Sequence, residues 1–310
     1  PQTADAARRL RMAGRHAKVN LALARLPTFT GVPRRMLSGP ILVALDPRTL
    51  TLDIRIPSLA DPGRAPDGKH VMSILVEGAA VPGGVAWPPE RRDALLAQVI
   101  RALESVAPGL AETITGARTV TPYDIENEYR LTGGDLLGGE MRPAQMWWNR
   151  PLPEFSACQS PVQGFLMCGE GVHPAPAEEV AMAKETLSPQ GPFDAAIIGG
   201  GHNGLVCAAY LALARKRVVV LEAGPDLGGM AALYANGARL FAPDVSFSAA
   251  VSSDLRLHKL GAKAAAAQPL PLALTDDGRA MALALVPPPK YFATPQLEPA
   301  AISALLTLLL

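Results

Sequence analysis

The chain of 310 residues is poor in cysteine, in aromatic residues and in excess charge of either sign. Its three cysteines, Cys158, Cys168 and Cys207, form no CxxC pair and have no Cys/His ligand spacing, which argues against a disulfide framework and against a zinc site. The formal net charge of +1 provides no electrostatic footprint for nucleic acid. The sequence also shows no Ser/His/Asp constellation, P-loop lysine or cluster of metal ligands. We therefore expect neither a nucleic-acid partner nor a metal.

Long apolar runs are scarce too, and this bears on the compartment. The stretch 301–310, AISALLTLLL, is about half as long as a membrane-spanning helix needs. Arg8, Arg9, Arg11 and Arg15 are not followed by the apolar core of a secretory signal, although their charge is compatible with a transit peptide. Cysteines without disulfide spacing favour a reducing compartment. We expect a cytoplasmic protein, with peripheral membrane contact through the arginines or the apolar stretch as an alternative.

The composition, with 49% hydrophobic and 18% charged residues, predicts a folded α/β protein of about two domains. Residues 1–174 are predicted to be β-rich, residues 175–192 are Pro-rich and form the predicted linker, and residues 193–310 contain a glycine-rich segment. Alternating apolar residues predict strands at 18–26 and 51–56, and a further strand is predicted at 70–76. Apolar residues at three- and four-residue spacing predict a helix at 89–107. A short apolar run predicts a buried strand at 164–168, and Thr121-Pro122 predicts the start of another helix.

The glycine-rich segment joins a predicted strand, 194–198, to a predicted helix, 202–215. Gly199, Gly201 and Gly204 have the G-x-G-x-x-G spacing at this junction. The first glycine permits a tight turn, the second lets the backbone approach a pyrophosphate, and the third lets helix and strand pack closely. An anion can then bind the free N–H groups at the start of the helix.

An acidic residue completes the pattern. Glu222 lies at the end of the next predicted strand, 216–221, where its carboxylate can accept hydrogen bonds from ribose hydroxyls. A second negative charge, such as a 2′-phosphate, is disfavoured beside it. Strand, turn, helix, strand and acid in this order predict a dinucleotide site, and the glycine spacing alone leaves FAD and NAD open.

The run DAAIIGGGHNGLVCAAYLALARKRVVVLEAGPDLGG, residues 194–229, resembles the opening of certain FAD-dependent oxidoreductases. These are the phytoene-desaturase-like branch of the amine-oxidase superfamily, which includes the pyridine nucleotide-disulphide oxidoreductase domain 2 proteins. The resemblance implies FAD as the cofactor, and the second glycine pair disfavours NAD. It implies that the following residues bind FAD: Gly199, Gly201, His202, Asn203, Gly204, Glu222, Ala223, Gly228 and Gly229.

Residues 17–174 resemble the C-terminal part of the same family, in segments such as KVNLALARLP, TPYDIENEYRLTGGDLLGGEM and GFLMCGEGVHP. The last segment implies that Gly169, Glu170 and Gly171 close over the ribityl and pyrophosphate groups of the flavin. The chain then departs from the family, because Ala175-Pro176-Ala177 replaces further glycines.

The family-like parts stand in reverse order, C-terminal before N-terminal, and the central region is missing. A permutation with a deletion, or the ends of two tandem genes read as one chain, would each give this order. We favour the second interpretation.

The resemblance implies hydride removal from a small apolar or amine-bearing substrate by the flavin. The main alternative is a catalytically silent, incomplete flavoprotein with residual nucleotide binding, and an NAD-binding oxidoreductase is another. We assign no catalytic residue, and the oligomeric state stays open. Trp147 and Trp148, with Met141 and Met146, either line an apolar substrate channel or form aromatic core.

Overall fold

In the part of the chain that the computed structural model describes, the strands form two β-sheets. The structure describes residues 2–46, 50–79, 85–155, 160, 162, 164–167, 169, 171–172, 192–224, 227–229, 249–260, 272–274 and 280–282. Several sequence predictions lie outside these residues: the linker, the stretch 301–310, and the placements of Cys158, Cys168 and Glu170.

The larger sheet combines strands from both ends of the sequence. Its strands are β1 (His16–Leu23), β2 (Ile41–Asp46), β3 (Leu50–Arg55), β4 (His70–Glu77), β5 (Ile114–Val120), β8 (Leu272–Leu274) and β9 (Ala280–Ala282). They lie in the order β5-β1-β4-β3-β2-β8-β9. Every neighbouring pair is antiparallel except β2 and β8, which run parallel. Strands that follow the glycine-rich segment therefore extend the sheet formed by the first part of the chain.

The main core lies between this sheet and a long helix, α3 (Pro89–Val106). In β3 the buried residues Leu50, Leu52 and Ile54 alternate with more exposed ones, as expected for a strand with one buried face. In α3 the buried residues recur at three- and four-residue spacing and so form one stripe along the helix. They are Leu95, Val99, Ala102, Leu103 and Val106. Strand and helix residues belong to a single hydrophobic cluster, which also contains Leu272 and Leu274 of β8.

The remaining helices are short. They are α1 (Gln2–Arg8), α2 (Pro57–Ala60), α4 (Pro122–Tyr129), α5 (His202–Leu213) and α6 (Ala249–Asp254). Single 3-10 turns occur at Arg34–Met36, Pro62–Arg64, Ala111–Thr113, Thr132–Gly134, Pro143–Gln145, Trp147–Asn149, Pro153–Phe155 and Leu257–Leu260. Among the described residues, no helix is long and apolar enough to cross a membrane.

The smaller sheet has two parallel strands, β6 (Ala195–Ile198) and β7 (Val218–Leu221), connected by α5. Helix α5 covers one face of this sheet, because Cys207 and Leu211 are buried against Ala195 and Ile197. The side chain of Ile198 points away from this contact and is 80% exposed. Cys207 therefore packs the helix against the sheet.

The predicted α/β class is confirmed, and most predicted elements are present. Strands β1, β3, β4, β6 and β7 and helices α3, α4 and α5 lie within a few residues of their predicted bounds. The buried strand predicted at 164–168 is wrong, because the described residues 164–167 form no strand and Phe165 is 48% exposed. Apolar character alone does not make a strand there, and none of the strands that the structure describes pairs with this segment.

Candidate dinucleotide-binding site

The candidate site begins at the tight turn between β6 and α5. Gly199 has φ +99°, a conformation that residues with a side chain rarely adopt, and its N–H donates to the Leu221 carbonyl at 2.8 Å. Helix α5 starts at His202, with Gly201 as an N-cap that has no side chain to accept from the first amides. These amides therefore point out of the helix without a side-chain cap, which is the arrangement that binds an anion.

Gly204 holds α5 against β6. A Cβ added at Gly204 would overlap the carbonyl oxygen of Gly199 and stand 3.3 Å from Cγ2 of Ile197. Only glycine lets the first turn of the helix lie this close to the end of the strand. The structure thus shows the close packing of helix and strand that the glycine spacing predicts.

Glu222 lies immediately after β7 and faces the glycine turn. Its Oε1 accepts the Gly224 N–H at 2.8 Å, and its Oε2 accepts the Gly200 N–H at 2.6 Å. Hydrogen bonds from Gly224, Gly200 and Ala223 lower the pKa of the Glu222 carboxyl below its usual value. An ionised carboxylate is therefore held beside the turn. Ala223 contributes its backbone to this contact.

The glycine pair after Glu222 packs directly on the turn. Gly228 forms a parallel bridge with Gly201, and its N–H donates to the Gly200 carbonyl at 2.8 Å. A Cβ added at Gly229 would lie 3.1 Å from the Cα of Gly201, closer than a side chain normally permits. The two backbones approach each other this closely because residue 229 is a glycine and carries no side chain.

The described part of the GFLMCGEGVHP segment also reaches this region. Gly169 is buried, with φ +108°, and a Cβ added there would lie 3.4 Å from Nδ2 of Asn203 on α5. A Cβ added at Gly171 would lie 3.4 Å from the carbonyl oxygen of Gly138. The structure therefore brings Gly169 together with the start of α5, although the two are far apart in sequence.

His202, the first residue of α5, is half-buried. Burial lowers the pKa of its imidazole below the usual value. The side chain is therefore neutral near pH 7, and it adds no positive charge to the anion-binding end of the helix.

An ion pair that was not predicted from the sequence joins the starts of β6 and β7. Asp194 accepts the Arg217 backbone N–H at 2.7 Å, and its two carboxylate oxygens accept from the guanidinium of Arg217 at 3.0 and 3.2 Å. The side-chain hydrogen bonds from Arg217, followed by its backbone N–H, lower the pKa of Asp194 to about 2. The available signal was an acid, Asp194, at the first position of one predicted strand and a base, Arg217, at the second position of the next.

Polar residues around the start of α4 serve the fold. Thr121 caps α4 reciprocally with Asp124, and Arg92 donates two hydrogen bonds to Asp124 at 2.6 and 2.8 Å. Burial acts to raise the pKa of Asp124, but hydrogen bonds from Arg92 and Thr121 outweigh it and lower the value. In the described part of the chain, no three His, Cys, Asp or Glu side chains are grouped so that they could hold a metal.

Trp148 and Met141 are on the surface, 65% and 44% exposed. Neither side chain therefore forms aromatic or apolar core. The side chain of Trp147 is outside the described part of the structure.

Comparison with known proteins agrees with this geometry. Residues 197–258 match the family model of the NAD(P)-binding Rossmann-like domain. This match starts inside β6, covers the glycine turn and Glu222, and continues beyond α6. The chain therefore contains a Rossmann-like dinucleotide-binding domain.

Similarity to whole proteins covers more of the chain. The pyridine nucleotide-disulfide oxidoreductase domain-containing protein 2 of Rattus norvegicus is 30% identical over 183 residues, which cover 51% of this chain and 32% of the rat protein. The phytoene desaturase (neurosporene-forming) of Rhodobacter capsulatus is 30% identical over 128 residues, covering 40% of this chain and 24% of that enzyme. An uncharacterized protein of Mycobacterium tuberculosis is 59% identical over 39 residues, or 13% of this chain. The chain thus spans about a third or less of the length of the relatives it matches.

Proposed function

We propose that the protein binds FAD and acts as an FAD-dependent oxidoreductase. The observation that carries the proposal is the convergence of three features at one place: the uncapped start of α5, the ionised Glu222 and the bridge between Gly201 and Gly228. Similarity to a pyridine nucleotide-disulfide oxidoreductase domain-containing protein and to a phytoene desaturase supports the choice of an oxidoreductase.

The residues present fit the adenosine diphosphate part of such a cofactor. The amides of His202, Asn203 and Gly204 would hold the pyrophosphate, because a helix start without a side-chain cap attracts an anion. The carboxylate of Glu222 would accept from the ribose hydroxyls in place of, or beside, the Gly200 N–H that it accepts now.

The close approach of Gly169 to Asn203 supports a further contact with the cofactor, made by residues from the first part of the chain. Gly169, Glu170 and Gly171 would then contact the cofactor near the start of α5. When bound, the isoalloxazine ring supplies the hydride acceptor, while the protein binds, orients and excludes water.

We propose a small apolar or amine-bearing compound as the substrate, which loses a hydride. The family-like parts in reverse order, with the central region missing, favour one alternative, an incomplete flavoprotein that binds nucleotide without turnover. The shared glycine spacing favours a second, an oxidoreductase that uses NAD. The reverse order itself stays a prediction from the sequence.

The Gly201→Ala variant tests nucleotide binding separately from folding. Gly201 has φ −72°, which any residue adopts, and an added Cβ would meet only the Cα of Gly229 at an ordinary 4.0 Å. The fold should therefore tolerate the methyl group, while a pyrophosphate could no longer approach the backbone at this point. We expect FAD affinity to fall by at least tenfold, about 1.4 kcal/mol, with an unchanged melting temperature.

The measurement is a titration with FAD followed by flavin fluorescence and visible absorption, repeated with NAD. The matched control is Gly116→Ala on the exposed edge strand β5, where an added Cβ meets Ala22 at 3.9 Å. The proposal is supported if Gly116→Ala binds FAD as the wild type does and Gly201→Ala binds it more weakly. A wild-type protein that takes up no FAD refutes it, and a preference for NAD selects the nicotinamide alternative.

A further inference from the structure

The larger sheet ends in an edge strand, β5, and no strand among the described residues pairs with its outer side. Residues 115–118 of β5 are exposed, and the strand pairs with β1 on its inner side. An edge strand presents backbone N–H and C=O groups that can pair with a strand from another chain. The outer edge of β5 is therefore a candidate interaction surface.

The hydrogen bonds of β1 show which backbone groups of β5 point outward. In an antiparallel sheet, alternate residues of a strand bond to one neighbour and the residues between them bond to the other. The Gly78 N–H donates to the Arg15 carbonyl at 3.1 Å, in register with the pairing of β1 and β4. Odd-numbered residues of β1 thus bond to β4, and even-numbered residues bond to β5. The Ala24 N–H, which donates to the Thr113 carbonyl at 2.7 Å, agrees with this alternation.

The central residue of β5 therefore directs its backbone groups away from β1. Three residues of β5 stand opposite even-numbered residues of β1 and bond to them: Gly116, Arg118 and Val120. The N–H and C=O groups of Ala117 and Thr119 point the other way. Arg92 covers one end of this outer edge by donating to the Thr119 carbonyl at 3.4 Å. Ala117, in the exposed middle of the strand, is left as the centre of the edge.

We propose that a second copy of the chain binds this edge, with the two β5 strands antiparallel about a two-fold axis at Ala117. Such strand addition joins two sheets through backbone hydrogen bonds. A two-fold axis uses the same surface on both copies, so the residues around Ala117 must fit their own symmetry mates.

Charge and existing hydrogen bonds select Ala117 as the axis. Outward-facing residues must stand opposite outward-facing residues, so an axis near the middle of the strand passes at Gly116, Ala117 or Arg118. An axis at Arg118 would place two guanidinium groups directly opposite each other, which is destabilising. An axis at Gly116 would place Thr119 opposite Thr113, whose carbonyl is already bonded on the β1 side.

This axis gives compatible pairs of side chains across the interface. Arg118 stands opposite Gly116 of the second copy, which has no side chain to obstruct the guanidinium. Thr119 stands opposite Thr115, and cross-strand threonine pairs are favourable. Each Arg118 also keeps Glu128 of its own copy, 3.3 Å away, which offsets the positive charge near the axis.

The test is sedimentation velocity of the full chain over a series of concentrations. We expect a reversible monomer–dimer equilibrium, because one pair of strands buries less surface than a standard interface. Ala117→Pro removes an outward N–H and no bond to β1, so the monomer should keep its circular dichroism spectrum. The dimer should dissociate about tenfold more readily, because the two central hydrogen bonds are lost.

A second variant tests the axis even if proline disturbs the strand. Ala117→Lys places two ammonium groups opposite each other and should also weaken the dimer about tenfold. Mixing Ala117→Lys with Ala117→Asp should restore a dimer, because opposite charges then meet at the axis. The matched control is Ala60→Lys, the same change at an exposed position of α2, which should dimerise as the wild type does.

Three results would overturn the proposal. One is a wild-type chain that stays monomeric at every concentration. Another is a dimer that survives both Ala117→Pro and Ala117→Lys at wild-type strength. The third is an equal loss of dimer in Ala60→Lys and Ala117→Lys. Pairing through β5 needs no FAD, so this proposal and the proposed function can fail separately.

Discussion

Replacement of Gly204 by alanine is the most demanding test of the geometry at the start of α5. The added methyl group would overlap the carbonyl oxygen of Gly199, a backbone atom that cannot rotate away. Overpacking of this kind costs up to about 3 kcal/mol. Alanine gains at most about 1 kcal/mol over glycine in a helix. The overlap therefore wins, and we expect the unit formed by β6, α5 and β7 to lose about 2 kcal/mol of stability.

A comparison with Gly199→Ala separates overlap from backbone strain. An added Cβ at Gly199 meets no atom within 4 Å, but the residue has φ +99°. Strain alone should cost about 1 to 2 kcal/mol there. Because both changes displace the turn, both should weaken FAD binding, with the larger loss of stability for Gly204→Ala.

The assay is urea unfolding followed by circular dichroism, together with the FAD titration. Gly116→Ala again serves as the control, because strand β5 leaves room for the methyl group. Wild-type stability in Gly204→Ala would refute the close packing of α5 on β6. Wild-type FAD affinity in the same variant would refute the site.

Three further predictions concern groups that support the fold. Arg92→Met leaves the Asp124 carboxylate, 16% exposed, without its two strongest donors, and urea unfolding should show a loss of about 2 kcal/mol. The folded protein depresses the pKa of Glu222 and sets that of Asp194 to about 2. Their contributions to the free energy of unfolding should thus be complete above about pH 5 and lost as the pH falls through the folded pKa values, seen as a falling melting temperature. Cys207→Ser buries a hydroxyl in an apolar cluster and should cost about 1 to 3 kcal/mol in urea unfolding, whereas a melting curve like the wild type's would contradict the packing of α5.

The sequence predicted those helices and strands in which apolar residues recur at regular spacing or a capping residue marks the start. Helix α3 was readable because its apolar residues recur every three or four positions, and the cap at Thr121 was readable because Thr-Pro suits the first turn of a helix. Strand β2 was not predicted, although its residues 41–45 are all apolar. A continuous apolar run does not distinguish a strand from a buried helix, and partners on both sides decide it.

Within the candidate site, the sequence identified the glycines and Glu222 because each has a backbone or charge requirement that only its residue type meets. The ion pair of Asp194 and Arg217 was missed, because the two residues meet only when β6 and β7 lie side by side. For Trp148, the sequence left open whether the side chain lines a channel or forms aromatic core. Its exposure depends on a loop conformation held by Arg150, which only the tertiary structure shows.

The sequence by itself determined the strand, glycine turn, helix and acid of the dinucleotide-binding unit, because hydrogen bonds and steric limits between neighbours in the chain specify that order. Only the tertiary structure decided that β8 extends the first sheet beside β2, that Gly169 meets Asn203, and that the arginine-rich segment lies along the Trp148 loop. These contacts join residues far apart in sequence. No local pattern encodes them, because they depend on which surfaces remain to be paired after each element has formed.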